Sequence, residues 1–151
     1  MMRILVVLMV FGVLAIGTVR AQSVHTSYIG VGAAIIPAPG FVIPLLSLQA
    51  GTPIVNFLEA RLKLDSILLF NLIEADLLVT LPVGSGFKPY LGVGAGYFFN
   101  VFGGYVTAGA TVGAEYMPGS IGYFAEAQAA PSALLNGVIE PFYRFGFNFH
   151  F

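Results

Sequence analysis

Glu140-Pro141-Phe142-Tyr143-Arg144-Phe145-Gly146-Phe147-Asn148-Phe149-His150-Phe151, the last stretch of the sequence, is written in steps of two. Tyr143, Phe145, Phe147, Phe149 and Phe151 share one parity; Glu140, Arg144, Asn148 and His150 share the other. A β-strand turns alternate side chains to opposite faces, so the stretch reads as one strand with an aromatic face and a polar face. In water the aromatic face would stand bare. In lipid it is the favoured outside, and the polar face belongs inside.

Composition points the same way. Hydrophobic residues make up 58% of the 151 and charged residues only 9%, against the usual quarter charged. Beyond the leader, Gly, Pro or a charge interrupts each apolar run within a few residues. A membrane-spanning helix needs about 20. High hydrophobicity without a helical span is the mark of a membrane barrel, in which each strand contributes only alternate apolar residues. Met1 to Ala21 reads as a leader removed on export. Arg3 gives a positive start, Ile4 to Gly17 an apolar core, and Val19-Arg20-Ala21 places small residues where a signal peptidase reads. Residues 1–21 are therefore expected to be a signal peptide and 22–151 one barrel domain. Loss of Arg3 and Arg20 leaves four basic against seven acidic residues, a net charge of −3, which argues against a nucleic-acid partner. The chain has no cysteine, so neither a disulfide framework nor a lipoprotein attachment site is available.

Eight strand-type segments follow the leader: Ser27 to Ile36, Phe41 to Ala50, Ile54 to Leu64, Asn71 to Leu81, Phe87 to Phe99, Gly104 to Tyr116, Ile121 to Ala130 and Val138 to Phe151. Lengths near ten suit tilted strands crossing a bilayer, and an even count suits a bacterial barrel. The third segment alternates most cleanly, with Glu59, Arg61, Lys63 and Asp65 against Leu58, Ala60, Leu62 and Leu64. The fourth sets Glu74 and Asp76 against Ile73, Ala75, Leu77 and Val79. With Lys88, Glu115, Glu126, Glu140 and Arg144, all mature charges can face one interior. A helix is excluded, because period two would scatter these charges around it. A water-soluble sandwich or barrel inverts the pattern, and four Lys and Arg would leave its surface unusually bare. The fold expected is an all-β, eight-stranded, antiparallel up-and-down transmembrane barrel. Gly51-Thr52-Pro53, Pro82 to Gly86 and Met117 to Ser120 read as short turns at the periplasmic end. Pro37 to Gly40, Asp65 to Phe70, Asn100 to Gly103 and Pro131 to Gly137 read as outer loops scarcely longer. Aromatics should gather near the two rims, Phe41, Phe70, Tyr97, Phe99 and Tyr143 outside and Tyr116, Tyr123, Phe149 and Phe151 inside.

Lys88-Pro89-Tyr90-Leu91-Gly92-Val93-Gly94-Ala95-Gly96-Tyr97 resembles a strand of the OmpA-like outer-membrane β-barrel family. Ser27-Tyr28-Ile29-Gly30-Val31-Gly32-Ala33 resembles that family's opening strand. The alternating aromatics Tyr143, Phe145, Phe147, Phe149 and Phe151 resemble the C-terminal signal its members present to the barrel-assembly machinery. The resemblance implies an eight-stranded barrel in the outer membrane of a diderm bacterium, reached through the periplasm, with outer-membrane lipid and the assembly machinery as partners. It implies no single activity. A peptidoglycan-binding domain, which larger members carry, is absent from this sequence.

The interior of an eight-stranded barrel is just wide enough to be filled by side chains. Glu59, Arg61, Lys63, Asp65, Glu74, Asp76, Lys88, Glu115, Glu126, Glu140 and Arg144 are therefore expected to form a charge network that closes the lumen of a structural envelope protein. The alternative is a small cation-favouring pore for ions or small solutes, because acidic groups outnumber basic ones. An adhesion or partner-binding barrel is disfavoured by the short outer loops. Gly92, Gly94 and Gly96 have neither the dinucleotide spacing nor a following helix, and read as room inside a narrow barrel. His25 and His150 have no Ser–acid arrangement near them, and Ser47, Ser66 and Ser132 have no visible base. No catalytic, cofactor-binding or metal site is expected, and the protein is not expected to be an enzyme.

Overall fold

The computed structural model describes residues 26–38, 40–67, 69–81, 83–84, 86–131 and 139–151. The Met1–Ala21 leader and the boundary after it lie outside the described residues. Eight strands follow in order. They are β1 (Tyr28–Ala38), β2 (Phe41–Val55), β3 (Leu58–Ile67), β4 (Phe70–Thr80), β5 (Phe87–Asn100), β6 (Gly103–Tyr116), β7 (Ile121–Pro131) and β8 (Ile139–His150). Each pairs antiparallel with its sequence neighbours, and β8 returns to β1 with Tyr28 opposite His150 and Ile35 opposite Tyr143. The barrel is closed. Closure matters in lipid, where no water can satisfy the backbone groups of an open edge.

Alternation holds around the wall. In β3, Glu59, Arg61, Lys63 and Asp65 are buried, while Leu62 between them is 57% exposed. In β5, Leu91, Val93 and Tyr97 point outward, and Val93 is 64% exposed. In β8, Tyr143, Phe145, Phe147 and Phe149 point outward and Arg144 and Asn148 inward. The outside is thus apolar and the inside charged, the inverse of a water-soluble barrel.

Strand limits move from the expected ones at informative places. Gly51-Thr52-Pro53 is no turn: β2 runs through it to Val55, and the chain reverses at Asn56 and Phe57. Gly51 faces the lumen with Ser47 and Gln49, and the Tyr28 ring lies over it, leaving no space for a Cβ. Pro53 is tolerated beside an irregularity in the β2–β3 register between Pro53 and Val55. The third strand accordingly starts at Leu58 and continues to Ile67, so Asp65 is a wall residue and no part of a loop. Phe70 stands at the end of the barrel expected of it, at the start of β4, but not on the lipid-facing girdle. It shares the inward parity of β4 and its ring centroid lies 6.1 Å from that of Phe98, which in turn packs 5.1 Å from Tyr105. Val101 and Phe102 form the β5–β6 turn, with the Asn100 side chain accepting a hydrogen bond from Phe102 N at 2.7 Å. Residues 132–138, which include most of the expected Pro131 to Gly137 loop, lie outside the described residues.

Lipid-facing positions should be intolerant of charge. Val93→Arg, near the middle of β5, is expected to lower stability in a bilayer by about 2–4 kcal/mol, while Val93→Leu should change it by less than about 0.5 kcal/mol. Urea unfolding midpoints of the refolded barrels in lipid vesicles measure both.

Candidate functional site

Period-two alternation brings ten of the eleven charged residues named from sequence to the inner wall; the side chain of Glu140 lies outside the described residues. The ten form two clusters. At the end of the barrel where β1 begins and β8 ends, the inner mouth if the amino end is periplasmic, Lys88 Nζ lies 3.1 Å from Glu59 Oε2 and 2.9 Å from Glu115 Oε2. Tyr28 donates its hydroxyl to Glu59 Oε1 at 2.6 Å, and Asn148 Nδ2 donates to Glu115 Oε1 at 2.6 Å. His150 completes this end, with Nε2 2.8 Å from Glu115 Oε1 and Nδ1 3.0 Å from Thr26 Oγ1.

The second cluster fills the middle of the barrel. Arg61 spans β3 to β7: its Nη2 lies 2.7 Å from Asp76 Oδ2 and its Nη1 2.6 Å from Glu126 Oε2. Lys63 Nζ lies 2.8 Å from Asp76 Oδ2 and 3.1 Å from Glu74 Oε2. Arg144 gathers Asp65 (2.6 Å), Glu126 (3.1 Å) and Glu74 (3.2 Å). Gln128 accepts from Arg144 and donates to Glu74. Arg61, Lys63 and Arg144 are each at most 3% exposed. Charges held this deep require partners, since an isolated buried charge costs far more than a surface one.

Two tyrosines and three amides complete the clusters, and Gln49 with Asn148 links one to the other; Asn148 is expected from sequence on the inward face of β8, whereas Tyr28, Tyr90 and Gln49 are not singled out. Tyr90 donates to Glu126 Oε2 at 2.9 Å, Gln49 Nε2 donates to Asn148 Oδ1 at 2.7 Å, and Arg61 Nη1 donates to Gln49 Oε1 at 3.4 Å. Tyr90, Gln128 and Asn148 have the parity of the charged residues in their strands, which was the available signal; β1 and β2 carry no charge, so Tyr28 and Gln49 had none. A second feature was also missed. Towards the outer end the inward positions turn apolar: Ala34, Leu45 and Phe142 are buried together, with Ile36, Ile43, Ile67 and Leu72 packed against them. The Phe142 ring lies under the Arg144 guanidinium, 4.0 Å from centroid to Cζ. This apolar layer sits above the charges, between them and the outer mouth.

The remaining candidates are dispersed. Ser47 is buried in the wall and its hydroxyl has no hydrogen-bond partner among the described residues. Ser66 donates to Asn71 Oδ1 at 2.7 Å. His25 and Ser132 lie outside the described residues. Tyr143, Phe145, Phe147, Phe149 and Phe151 all stand on the outer face, between 40% and 74% exposed, with Phe147 edge-on to Tyr123 at 5.3 Å.

An apolar outer wall around a lumen occupied by its own charged side chains defines a transmembrane β-barrel. No family model matches the chain, and no curated protein matches it. Among solved structures, the backbone structure of the Yersinia pestis outer membrane protein Ail in a phospholipid bilayer nanodisc is similar, with a TM-score of 0.58 and 13% identity over 84% of this chain and 99% of that one. Two crystal structures of Ail, the attachment invasion locus protein of Yersinia pestis, have TM-scores of 0.48 and 0.47 at 11% and 15% identity, each covering 83% of this chain and 97% of the other; the second is in complex with the heparin analogue sucrose octasulfate. The nanodisc structure and this chain share a fold.

The geometry ranks two substitutions. Arg144→Ala leaves Asp65 without its cationic partner and adds to the excess of negative charge, whereas Glu126→Ala leaves Arg61 with Asp76 and reduces that excess. Arg144→Ala is expected to cost about 3–5 kcal/mol and Glu126→Ala less. Equal urea midpoints for the two variants would reject the ranking.

Proposed function

We propose that the mature chain is an integral protein of a diderm outer membrane, with a structural role in the envelope and a lumen plugged by its own side chains. One observation carries the reading: the Arg61–Lys63–Arg144 ion-pair cluster fills the barrel's middle and the Ala34–Leu45–Phe142 layer lies across its outer end. A conducting path needs a continuous wetted bore with charges exposed to it. Here the charged groups are buried against one another. The apolar outer wall supports the membrane location, as does the shared fold with an outer membrane protein determined in a phospholipid bilayer. The OmpA-like pattern of Lys88 to Tyr97 and the outward aromatics of β8 support export through the periplasm, with the leader removed, and insertion by the barrel-assembly machinery. Thr26 Oγ1 stands beside His150 Nδ1 at 3.0 Å, and His150 Nε2 beside Glu115 at 2.8 Å; we read this contact as part of the inner-mouth network, and the proposed role is non-enzymatic.

A second reading, a small cation-favouring pore, draws on the surplus of carboxylates over basic groups in the lumen. Planar-bilayer conductance of the refolded, heat-modifiable barrel separates the two. The plugged barrel is silent at every salt concentration. Steady cation-selective steps that vanish on Glu74→Gln with Asp76→Asn would establish the pore in its place.

A further inference from the structure

The lipid-facing wall is not evenly filled. Strand register sets its outward side chains in rows that run across the strands. Leu48, Leu64, Ile73 and Tyr97 pair in turn across β2 to β5, and every member of that row is large. So is every member of the row Leu58, Val79 and Leu91, nearer the end where β1 begins. The two rows between them are lower. Ala50, Leu62, Ala75 and Ala95 form one, and Thr52, Ala60, Leu77 and Val93 the other. Alanines set among these positions sink the floor between two ridges. The result is a trough of about 980 Å3 in the outer wall, at the upper end of the volumes that hold a small ligand.

The trough has a direction and a polar end. It begins at Phe151 and Ser27, where Phe151 N donates to the Ser27 carbonyl oxygen at 3.0 Å. Beside them Ser27 Oγ and Thr52 Oγ1 lie 3.0 Å apart, exposed. One hydroxyl donates to the other, which leaves one O–H free to donate outward. The trough ends at Val93 and Ala95, near the middle of β5. Each step from strand to strand is about 4.8 Å, so the course from β1 to β5 measures about 19 Å along the wall. With strands tilted by about 40°, a row across them stands about 50° from the membrane normal and rises about 12 Å. That carries it from the interface through most of one leaflet, which is half of a hydrocarbon core about 30 Å thick.

We infer that the trough holds one acyl chain of a phospholipid from the leaflet at the end where β1 begins, with the lipid's glycerol esters at the Ser27–Thr52 hydroxyl pair. Three features select this occupant. The trough is continuous with the apolar outer wall, so hydrocarbon enters it without crossing water. It winds over five strands of a convex surface. A flexible chain follows such a course, whereas the wall of a second barrel would meet it only along a line. Its polar end lies at interfacial depth, where a hydroxyl can donate to an ester carbonyl oxygen. Arg61 and Asp76 contribute backbone to the trough but turn their side chains into the lumen, so recognition is by shape and a neutral donor rather than by headgroup charge. The assignment rests on the membrane placement of this wall and is independent of the state of the lumen.

Native mass spectrometry of the barrel, refolded in vesicles of palmitoyl-oleoyl phosphatidylethanolamine and released into detergent, tests the site. The unaltered barrel is expected to keep one lipid. Ala75→Phe raises the floor midway along the trough and should lower the lipid-bound fraction severalfold. Ala125→Phe puts the same ring on the outward face of β7, away from the trough, and should leave that fraction unchanged. Thr52→Val should release the lipid at lower collision energy. Heat-modifiable gel mobility verifies that each variant is a folded barrel. A folded barrel that keeps no lipid, or equal loss from Ala75→Phe and Ala125→Phe, overturns the site. A Thr52→Val barrel that holds its lipid as firmly as the unaltered one overturns the placement of the esters. A dimer without lipid, dissociated by Ala75→Phe, would give the trough to a second copy and overturn the lipid.

Discussion

The bond between Arg144 on β8 and Asp65 on β3, 2.6 Å long and made between residues 79 apart in the chain, is the contact on which the interior depends. It crosses the lumen and ties together strands that are not neighbours in the sheet. Arg144 also holds Glu74 and Glu126, so one guanidinium links β3, β4, β7 and β8. A soluble domain gains its stability by burying apolar side chains. This barrel leaves those on the outside for lipid, and its inside must reach internal satisfaction by ion pairs and hydrogen bonds. Such a network adds little net free energy when complete, but losing one member strands the rest.

The wall is built to admit that network. Where a large inward side chain lies against the opposing strand, the wall residue facing it is glycine, as with Tyr28 over Gly51 and Tyr90 over Gly113. The tyrosines fill volume and end in hydroxyls that reach Glu59 and Glu126. Arg61 lies 5.4 Å from the Tyr90 ring centroid and Lys88 Nζ 5.5 Å from that of Tyr28, so the same rings also face the cations. Above this level, Phe142, Leu45 and Ala34 replace polar groups and pack together on the inward side of the wall.

Much of this was legible in the sequence, because a strand's period of two leaves a mark on every residue. Glu59 to Asp65 and Tyr143 to Phe149 showed both faces outright, and eight such segments allowed only a closed barrel. Two kinds of feature escaped. Turn chemistry misled at Gly51-Thr52-Pro53, since glycine and proline that usually break a strand here serve a ring packed inside it and an irregular register. Charge served as the marker of the inward face, so inward residues without charge were overlooked: Leu45, Phe142 and Phe70 look like lipid-facing residues until their parity is compared with Ser47, Arg144 and Glu74. Arg61 with Asp76, Lys63 with Glu74, Lys88 with Glu115 and Arg144 with Glu126 are partners on adjacent strands, but bonds that cross the lumen, such as Arg144 with Asp65 and Arg61 with Glu126, join strands three or four apart, and no linear pattern carries that information.

The central claim is that lipid is outside and charge is inside. The absence of cysteine permits single spin labels to be placed without background. Labels at Ala60, Leu62 and Leu64 on β3 and at Thr111 on β6, in the barrel refolded into a bilayer, would be probed with lipid-soluble oxygen and a water-soluble nickel reagent. The account predicts that oxygen reaches the three β3 labels and the nickel reagent does not, while the label at Thr111 is shielded from both. Ready access of the nickel reagent to Leu62 would contradict it, because that face would then lie in water.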